Sequence, residues 1–171
     1  TLHLLYSCPF CWKVRGLIEY LKMDVELVPV NGLKIKKAVS FAGDWSKVPV
    51  FTDENGEHHV DSTPLLKLID ANYNGGKLSA ISSTERNDKW MEWADTKVSK
   101  ATVPILYGSL ISAFRTTTRI SKIEKFGFIS KRLYAWAGFP IMWGIIAKKR
   151  VKKDGRTPKK LWHDLLTEFT D

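Results

Sequence analysis

Short apolar runs alternate with amphipathic stretches over the first part of the chain. The runs are bounded by prolines, glycines and polar turn residues, as is typical of β-strands, whereas the stretches between them carry apolar residues at helical spacing. The turn Asp53–Gly56 separates the last two runs and indicates a hairpin. The pattern predicts the order β-α-β-α-β-β-α, with strands at Leu2–Tyr6, Val25–Val30, Val48–Phe51 and His58–Val60, and helices at Cys11–Lys22, Lys34–Phe41 and Ser62–Ala71.

The order of these elements predicts how the strands pair. The first strand–helix–strand unit favours parallel pairing, and the hairpin favours antiparallel pairing. We therefore expect an α/β domain, built on a mixed four-stranded sheet, over residues 1–76.

Beyond the linker Asn72–Gly76 the pattern changes to long helical periodicities without a convincing strand. We predict an all-α second domain over residues 77–171. Because the chain opens without Met and its last helical pattern stops at Asp171, we expect this domain to be incomplete. The predicted helices begin at Trp90, span Phe128–Ala147 with an interruption near Pro140, and run from Leu161 to Phe169.

Positive charge is concentrated in the second part of the chain. Residues 1–76 carry 8 Lys/Arg against 9 Asp/Glu, whereas residues 77–171 carry 19 against 9, within a formal net charge of +9. With 44% hydrophobic and 26% charged residues, the composition is that of a globular protein and excludes a disordered one. The basic part predicts either contact with an anionic surface or a solvated face.

The compartment is predicted from the cysteines and the apolar runs. The longest uncharged run, Leu133–Ala147, has 15 residues, fewer than the roughly 20 that span a bilayer. No secretory signal opens the chain, and two cysteines three positions apart cannot build a disulfide scaffold. We expect a cytoplasmic or otherwise reducing compartment, with peripheral membrane contact through Trp136, Trp143 and the basic segment Lys148–Lys160.

The segment Cys8-Pro9-Phe10-Cys11 lies between the first predicted strand and the first predicted helix. A cysteine at a helix N-terminus meets unpaired N–H groups and the positive end of the helix dipole, which stabilise a thiolate. Pro9 suits the first turn because its missing N–H would be unpaired there. Cys11 lies one turn further and can reach back as a resolving thiol. Cys8 is therefore the predicted nucleophile.

Two other interpretations of the cysteines are weaker. A zinc site needs two further ligands, and His58-His59 have the wrong spacing for a zinc finger, so no metal site is predicted. Two structural buried cysteines are the other alternative, but apolar burial does not explain the proline between them.

Two further segments complete a predicted binding site. A proline that starts a strand, as in Val48-Pro49, is often cis, and the bend lets Val48 offer its backbone N–H and C=O to an extended peptide at a sheet edge. Ser62 at the start of the third helix is either a helix cap or a socket for a ligand carboxylate, and Asp61 suits a neighbouring ammonium. A thiolate, a peptide-binding backbone and a carboxylate socket match the three parts of glutathione.

A resemblance to known proteins covers nearly the whole chain and rests on these segments: Leu5-Tyr6, Cys8–Arg15, Val30-Asn31, Lys47–Val50, Asp61-Ser62, Lys89-Trp90, Trp93–Asp95 and Lys125–Gly127. They resemble the glutathione transferase superfamily and, more closely, the membrane-associated prostaglandin E synthase type-two family. The resemblance implies a thioredoxin-like first domain and a glutathione-transferase-type helical second domain. It also implies Cys8 as the catalytic thiol, Tyr6 lining the site, and glutathione bound by Val48-Pro49, Asp61 and Ser62. Haem held through glutathione is implied by the resemblance alone.

We predict a glutathione-dependent transferase or isomerase that uses Cys8 on a small electrophilic or peroxide substrate. Two alternatives stay open: a glutaredoxin-type disulfide oxidoreductase with Cys11 as the resolving thiol, and a non-catalytic membrane-associated binding module. The predicted partners are glutathione, that substrate, an anionic membrane surface and a second copy of the chain, and no nucleic acid.

Overall fold

The structure, a computed structural model, describes residues 1–124 and 126–170. Lys125 and Asp171, which the sequence interpretation used, lie outside the described residues. The chain divides into two compact units, Thr1–Asp88 with Ile123–Lys125, and Lys89–Lys122 with Phe126–Asp171. The domain boundary predicted at residue 76 stays a prediction.

The first unit contains the predicted mixed four-stranded sheet. Its strands are β1 (Leu2–Leu4), β2 (Leu27–Pro29), β3 (Val50–Thr52) and β4 (His58–Val60). They lie in the order β2-β1-β3-β4, with β1 parallel to β2 and the other two pairs antiparallel. The register places Leu2 opposite both Leu27 and Phe51. Each strand except β4 is shorter than the apolar run that predicted it.

The helices of the first unit follow the predicted order. They are α1 (Pro9–Tyr20), α2 (Ile35–Ala38), α3 (Ser62–Asn74) and the start of α4 (Thr84–Trp93). Helix α3 runs further than predicted, into the proposed linker, and ends at Gly75, which takes the left-handed conformation (φ 63°) that glycine adopts without strain. Short 3₁₀ turns at Ser40–Ala42 and Ser79–Ile81 complete the unit.

One apolar core holds the sheet and its helices together. Leu2 and Leu4 alternate along β1, so both point to the same face of the sheet, where they are fully buried. Helices α1 and α3 pack against each other and contribute apolar residues three or four positions apart. The buried residues of this core are Leu2, Leu4, Cys11, Val14, Ile18, Val30, Val39, Val48, Val50, Phe51, Leu65 and Ile69.

All the regular secondary structure among the described residues of the second unit is helical, as predicted. A π-helical segment at Ala94–Val98 joins α4 to α5 (Ser99–Leu106), and α6 (Leu110–Ile123) follows. A second π-helical segment, Ile141–Ala147, joins α7 (Phe128–Pro140) to α8 (Lys148–Asp154), and α9 (Pro158–Thr170) ends the described chain.

Two sequence expectations about these helices need correction. The interruption expected near Pro140 is not a break, because the helix continues from α7 as a π-helix; a proline without an N–H displaces the regular hydrogen-bond pattern and is compatible with such a wider turn. Helix α6 was not predicted at all. Among the described residues, no helix combines the length and apolar character needed to cross a bilayer.

Candidate functional site

The structure places Cys8 at the N-cap of α1, directly before Pro9 in the first turn. The backbone N–H of Cys8 donates to the carbonyl of Leu5 at 3.2 Å, and its carbonyl accepts the N–H of Trp12 at 3.1 Å. The first N–H groups of the helix are therefore close to the sulfur, where they favour a negative charge. Cys8 is partly buried, whereas Cys11 is fully buried.

The two thiols form one hydrogen-bonded pair. Cys11 donates to the sulfur of Cys8, and this bond, with backbone N–H groups of Phe10 and Cys11, outweighs burial and holds the pKa of Cys8 at about 7, below its ordinary value of 9.0. The same bond and burial raise the pKa of Cys11. A large part of Cys8 is thus a thiolate at neutral pH, while Cys11 stays protonated.

The turn before Cys8 is held from two sides. Glu124, buried with 4% of its surface exposed, accepts the N–H of Tyr6 at 3.1 Å and both the N–H and the hydroxyl of Ser7 at 2.6 Å. The indole N–H of Trp12 donates to the carbonyl of Tyr6 at 2.6 Å. The guanidinium of Arg15 lies 4.7 Å from the centre of the Trp12 ring. Tyr6 is therefore fixed through its backbone, two residues ahead of the thiol.

Val48-Pro49 is a cis peptide bond in the bend before β3. Val48 is buried in the same apolar core as Cys11, and Cys8 and Tyr6 pack against that core. The sequence interpretation placed Val48 at a sheet edge. The structure instead places it before an inner strand, since β3 lies between β1 and β4, so a peptide would pair with the bend and not with an edge strand.

The start of α3 lies beside α1 through a set of polar contacts. The ammonium of Lys13 is 3.2 Å from the hydroxyl of Thr63 and 3.5 Å from the hydroxyl of Ser62, which is buried. Asp61, not Ser62, occupies the N-cap position, and its side chain makes no capping bond. The backbone of Asp61 has φ 67°, a conformation costly for a residue other than glycine and common at ligand sites.

The structure thus brings the predicted residues together in two groups. Cys8 and Tyr6 form one with Cys11, since both pack against the apolar core that contains Cys11, and Ser62 is connected to α1 by Lys13. Lys13 and Glu124 were missed as site residues. Lys13 lies one helical turn and a half beyond Cys8, on the sequence motif itself. Glu124 is the only Asp or Glu between Asp95 and Asp154, and this isolation in a basic stretch was its one sequence signal.

A separate group of potential metal ligands lies in the β3–β4 hairpin. Ligand atoms of Asp53, Glu57 and His59 lie within 4.8 Å of one another. Asp53 accepts the ring N–H of His59 at 2.9 Å and the backbone N–H groups of Asn55 and Glu57, which lower its pKa. These hydrogen bonds within the hairpin explain why the three side chains lie together, and we assign no metal to them.

The chain is similar to known proteins over its whole length. Residues 2–77 match the family described as "Glutathione S-transferase, N-terminal domain". Prostaglandin E synthase 2 of Danio rerio is 22% identical over a 214-residue alignment that covers 100% of this chain and 55% of that protein. Prostaglandin E synthase 2 of Mus musculus is 20% identical over 196 residues, covering 89% of this chain and 50% of that protein. The chain therefore spans about half the length of the curated relatives it matches.

Proposed function

We propose that this protein is a glutathione-dependent thiol enzyme with Cys8 as its nucleophile, and the match of residues 2–77 to the glutathione S-transferase N-terminal domain family supports this proposal. The observation that carries the proposal is the position of Cys8 at the N-cap of α1 with Cys11 donating to its sulfur. The thiolate is the reactive form of cysteine, and a thiol with a pKa near the ambient pH combines a large thiolate fraction with good nucleophilicity.

The polar groups at the start of α3 fit one end of glutathione. The γ-glutamyl carboxylate would meet the hydroxyl of Ser62, the N–H groups of the first turn of α3 and the ammonium of Lys13. The carboxylate of Asp61 suits the γ-glutamyl ammonium, and the bend at Val48 suits the peptide backbone. The donor set therefore matches a ligand with a free carboxylate, an ammonium and a peptide group.

The chemistry at Cys8 begins with attack by its thiolate. With glutathione disulfide, the thiolate forms a bond to one sulfur, the disulfide breaks, and the other glutathione leaves as a thiolate that takes a proton from water. We extend the same nucleophile to a small electrophilic or peroxide substrate. Both relatives are named prostaglandin E synthase 2, so the proposal includes an isomerase reaction that forms prostaglandin E. Haem rests on the resemblance alone, no described contact assigns a residue to it, and no step is derived through it.

Ser62 provides a direct test of the glutathione site. We expect Ser62→Ala and Asp61→Ala each to weaken glutathione binding by about 1–3 kcal/mol, because each removes a hydrogen bond to a charged group of the ligand. The measurement is titration calorimetry with reduced glutathione on the full chain. Ser83→Ala is the matched control, since Ser83 accepts the N–H of Arg86 as an ordinary helix cap, and it should leave the affinity unchanged. Unchanged affinity in both site variants would remove the carboxylate socket.

The hydrogen bond between the two thiols also favours a second function. In a glutaredoxin-type dithiol reductase, the Cys11 sulfur would attack the mixed disulfide at Cys8, so that glutathione leaves as a thiol and a disulfide closes between the two cysteines. Two molecules of glutathione would then reduce this disulfide and leave as glutathione disulfide. Transferase or isomerase chemistry does not need Cys11. Dependence of turnover on Cys11 therefore separates the two functions.

An exposed apolar face in the second unit favours peripheral membrane contact. Phe128, Ile129 and Trp136 of α7 expose 74%, 81% and 69% of their surface, and basic residues lie on the same helix and on α8. Trp143, which the sequence also proposed for this contact, is instead half-buried and packs in the core of the second unit. Aromatic side chains suit the membrane interface, and each nearby Lys or Arg contributes about 1 kcal/mol on anionic lipid. The predicted second copy of the chain also remains a proposal.

Vesicle sedimentation tests this contact. We expect the protein to bind vesicles containing phosphatidylserine at low salt and to dissociate as salt rises, because the Debye length falls from about 10 Å at 0.1 M to about 3 Å at 1 M. Ile129→Ser should weaken binding, whereas Ile81→Ser, a similarly exposed position (77%) in the first unit, should not. Binding that survives high salt would indicate insertion, and absence of binding at low salt would remove the membrane contact.

A further inference from the structure

A single buried carboxylate holds the turn that carries the nucleophile. Glu124 comes from the short second stretch of the first unit, more than a hundred residues away from that turn. One of its oxygens accepts two bonds from Ser7, and the other accepts the N–H of Tyr6. Hydrogen bonds from backbone N–H groups to a buried carboxylate are among the stronger ones in proteins. The carboxylate therefore fixes the backbone immediately before Cys8.

We propose that Glu124 is a positioning residue for Cys8, which it serves by clamping the Tyr6–Ser7 turn and by the influence of its negative charge on the reacting sulfur. This inference rests on the proposed role of Cys8 as a thiolate nucleophile. It adds a group that neither touches the sulfur nor belongs to the Cys8–Cys11 motif, and that acts through the turn and through its charge.

The charge of Glu124 acts against the other groups around Cys8. Hydrogen bonds from Cys11 and from the backbone of Phe10 and Cys11 lower the pKa of Cys8, whereas burial and the negative charge of Glu124 raise it. The guanidinium of Arg15, 5.9 Å from the centre of the Tyr6 ring, is engaged by Glu19 at 2.6 Å. Glu124 is thus a charged side chain that opposes ionisation of Cys8.

The effect of Glu124 on the pKa of Cys8 also affects the nucleophilicity of the thiolate. A thiolate loses nucleophilicity as its pKa falls, with a Brønsted slope of about 0.4–0.5. A helix N-terminus and a thiol donor acting alone would produce an abundant but weak nucleophile. Burial and, to a smaller extent, the Glu124 charge keep the sulfur basic enough to attack, while the turn keeps it at the N-cap.

The test compares Glu124→Gln with Glu124→Asp in the full chain. Glu124→Gln removes the charge and keeps one oxygen acceptor, so the pKa of Cys8 should fall below its value in the Glu124 parent that carries the same Cys11 replacement. The measurement is the rate of iodoacetamide alkylation of Cys8 against pH, with Cys11 replaced by alanine in every sample. The Gln variant should react faster at acid pH and more slowly on the alkaline plateau. Glu124→Asp retains the charge, so the pH midpoint of Cys8 alkylation should equal that of the Glu124 parent with the same Cys11 replacement.

Ser7→Ala is the control variant for this test. Ser7→Ala removes one bond to Glu124 without a change of charge, so it should lower the unfolding temperature and leave the midpoint in place. A midpoint that is unchanged or higher in a folded Glu124→Gln variant overturns the proposal. If Glu124→Gln does not fold, a shifted midpoint in Glu124→Asp overturns it instead. Alkylation needs no glutathione, so absence of any titration of Cys8 near neutral pH in the unaltered protein would defeat the proposed function and not this assignment alone.

Discussion

Replacing Cys8 by serine is expected to slow the reaction of the protein with glutathione disulfide by about a thousandfold or more, because the attacking sulfur is lost. The unaltered protein should form one mixed disulfide with glutathione, located at Cys8 by peptide mass spectrometry. The rate of this reaction should rise with pH through about 7, the pKa of Cys8, because the thiolate is the reactive form. Cys8→Ser should lose both the adduct and this pH dependence.

Cys11→Ala is the matched control for Cys8→Ser. It removes the hydrogen-bond donor to the Cys8 sulfur, so the pKa of Cys8 should rise towards its ordinary value and the reaction should shift to higher pH. The mixed disulfide should still form and should accumulate, since no neighbouring thiol remains to displace glutathione. If turnover of glutathionylated peptides disappears in this variant, the dithiol function is the correct one. An adduct that persists in Cys8→Ser would reverse the roles of the two cysteines.

The first unit could be predicted well from sequence because its signals are local. Leu2 and Leu4 alternate in the way a strand requires, Pro9 marks a helix start, and Val14 and Ile18 follow at helical spacing. The same local signals located Cys8 at a helix N-terminus and Ser62 at the start of α3. Only the lengths of the elements differed.

Helix α6 escaped prediction for a physical reason. Its buried positions are Ala113, Thr117 and Ser121, four residues apart on one face. Small and hydroxylated side chains there allow close packing but do not register as an apolar stripe. Hydrophobic periodicity detects large apolar residues, and on this helix Leu110, Ile111 and Phe114 are exposed instead.

The contact between Glu124 and the turn at Tyr6–Ser7 could not be predicted either. It joins residues 117 and 118 positions apart, and its donors are mainly backbone groups that leave no trace in a side-chain pattern. Lys13 shows the opposite case, because it lies on the recognised motif but its partners on α3 depend on how α1 and α3 pack. Site residues that lie within one sequence segment were predicted, whereas contacts between distant segments were not.

The largest expected effect on stability lies away from the thiol, at Asp70. This side chain of α3 is buried and accepts four hydrogen bonds, from Asn74, from the N–H of Leu78, and from both the N–H and the hydroxyl of Ser79. Asp70→Ala would leave the donors of Asn74, Leu78 and Ser79 without this buried acceptor, and we expect the free energy of unfolding to fall by about 3 kcal/mol or more. Urea denaturation at neutral pH measures the loss. Asp44→Ala, at an exposed position, is the control and should change stability by less than about 0.5 kcal/mol.

The stabilisation from Asp70 should also depend on pH. Burial alone would raise the pKa of Asp70, but the hydrogen bonds from Ser79, Asn74 and Leu78 outweigh burial and lower it from 3.8 to about 2. A carboxylate with a depressed pKa contributes stability that is complete above its ordinary pKa and is lost as pH falls from about 4 to about 2. The unaltered protein should therefore lose stability over this range more steeply than Asp70→Ala, which has no such carboxylate to protonate. Equal slopes in the two proteins would show that the bonds to Asp70 do not depend on its charge.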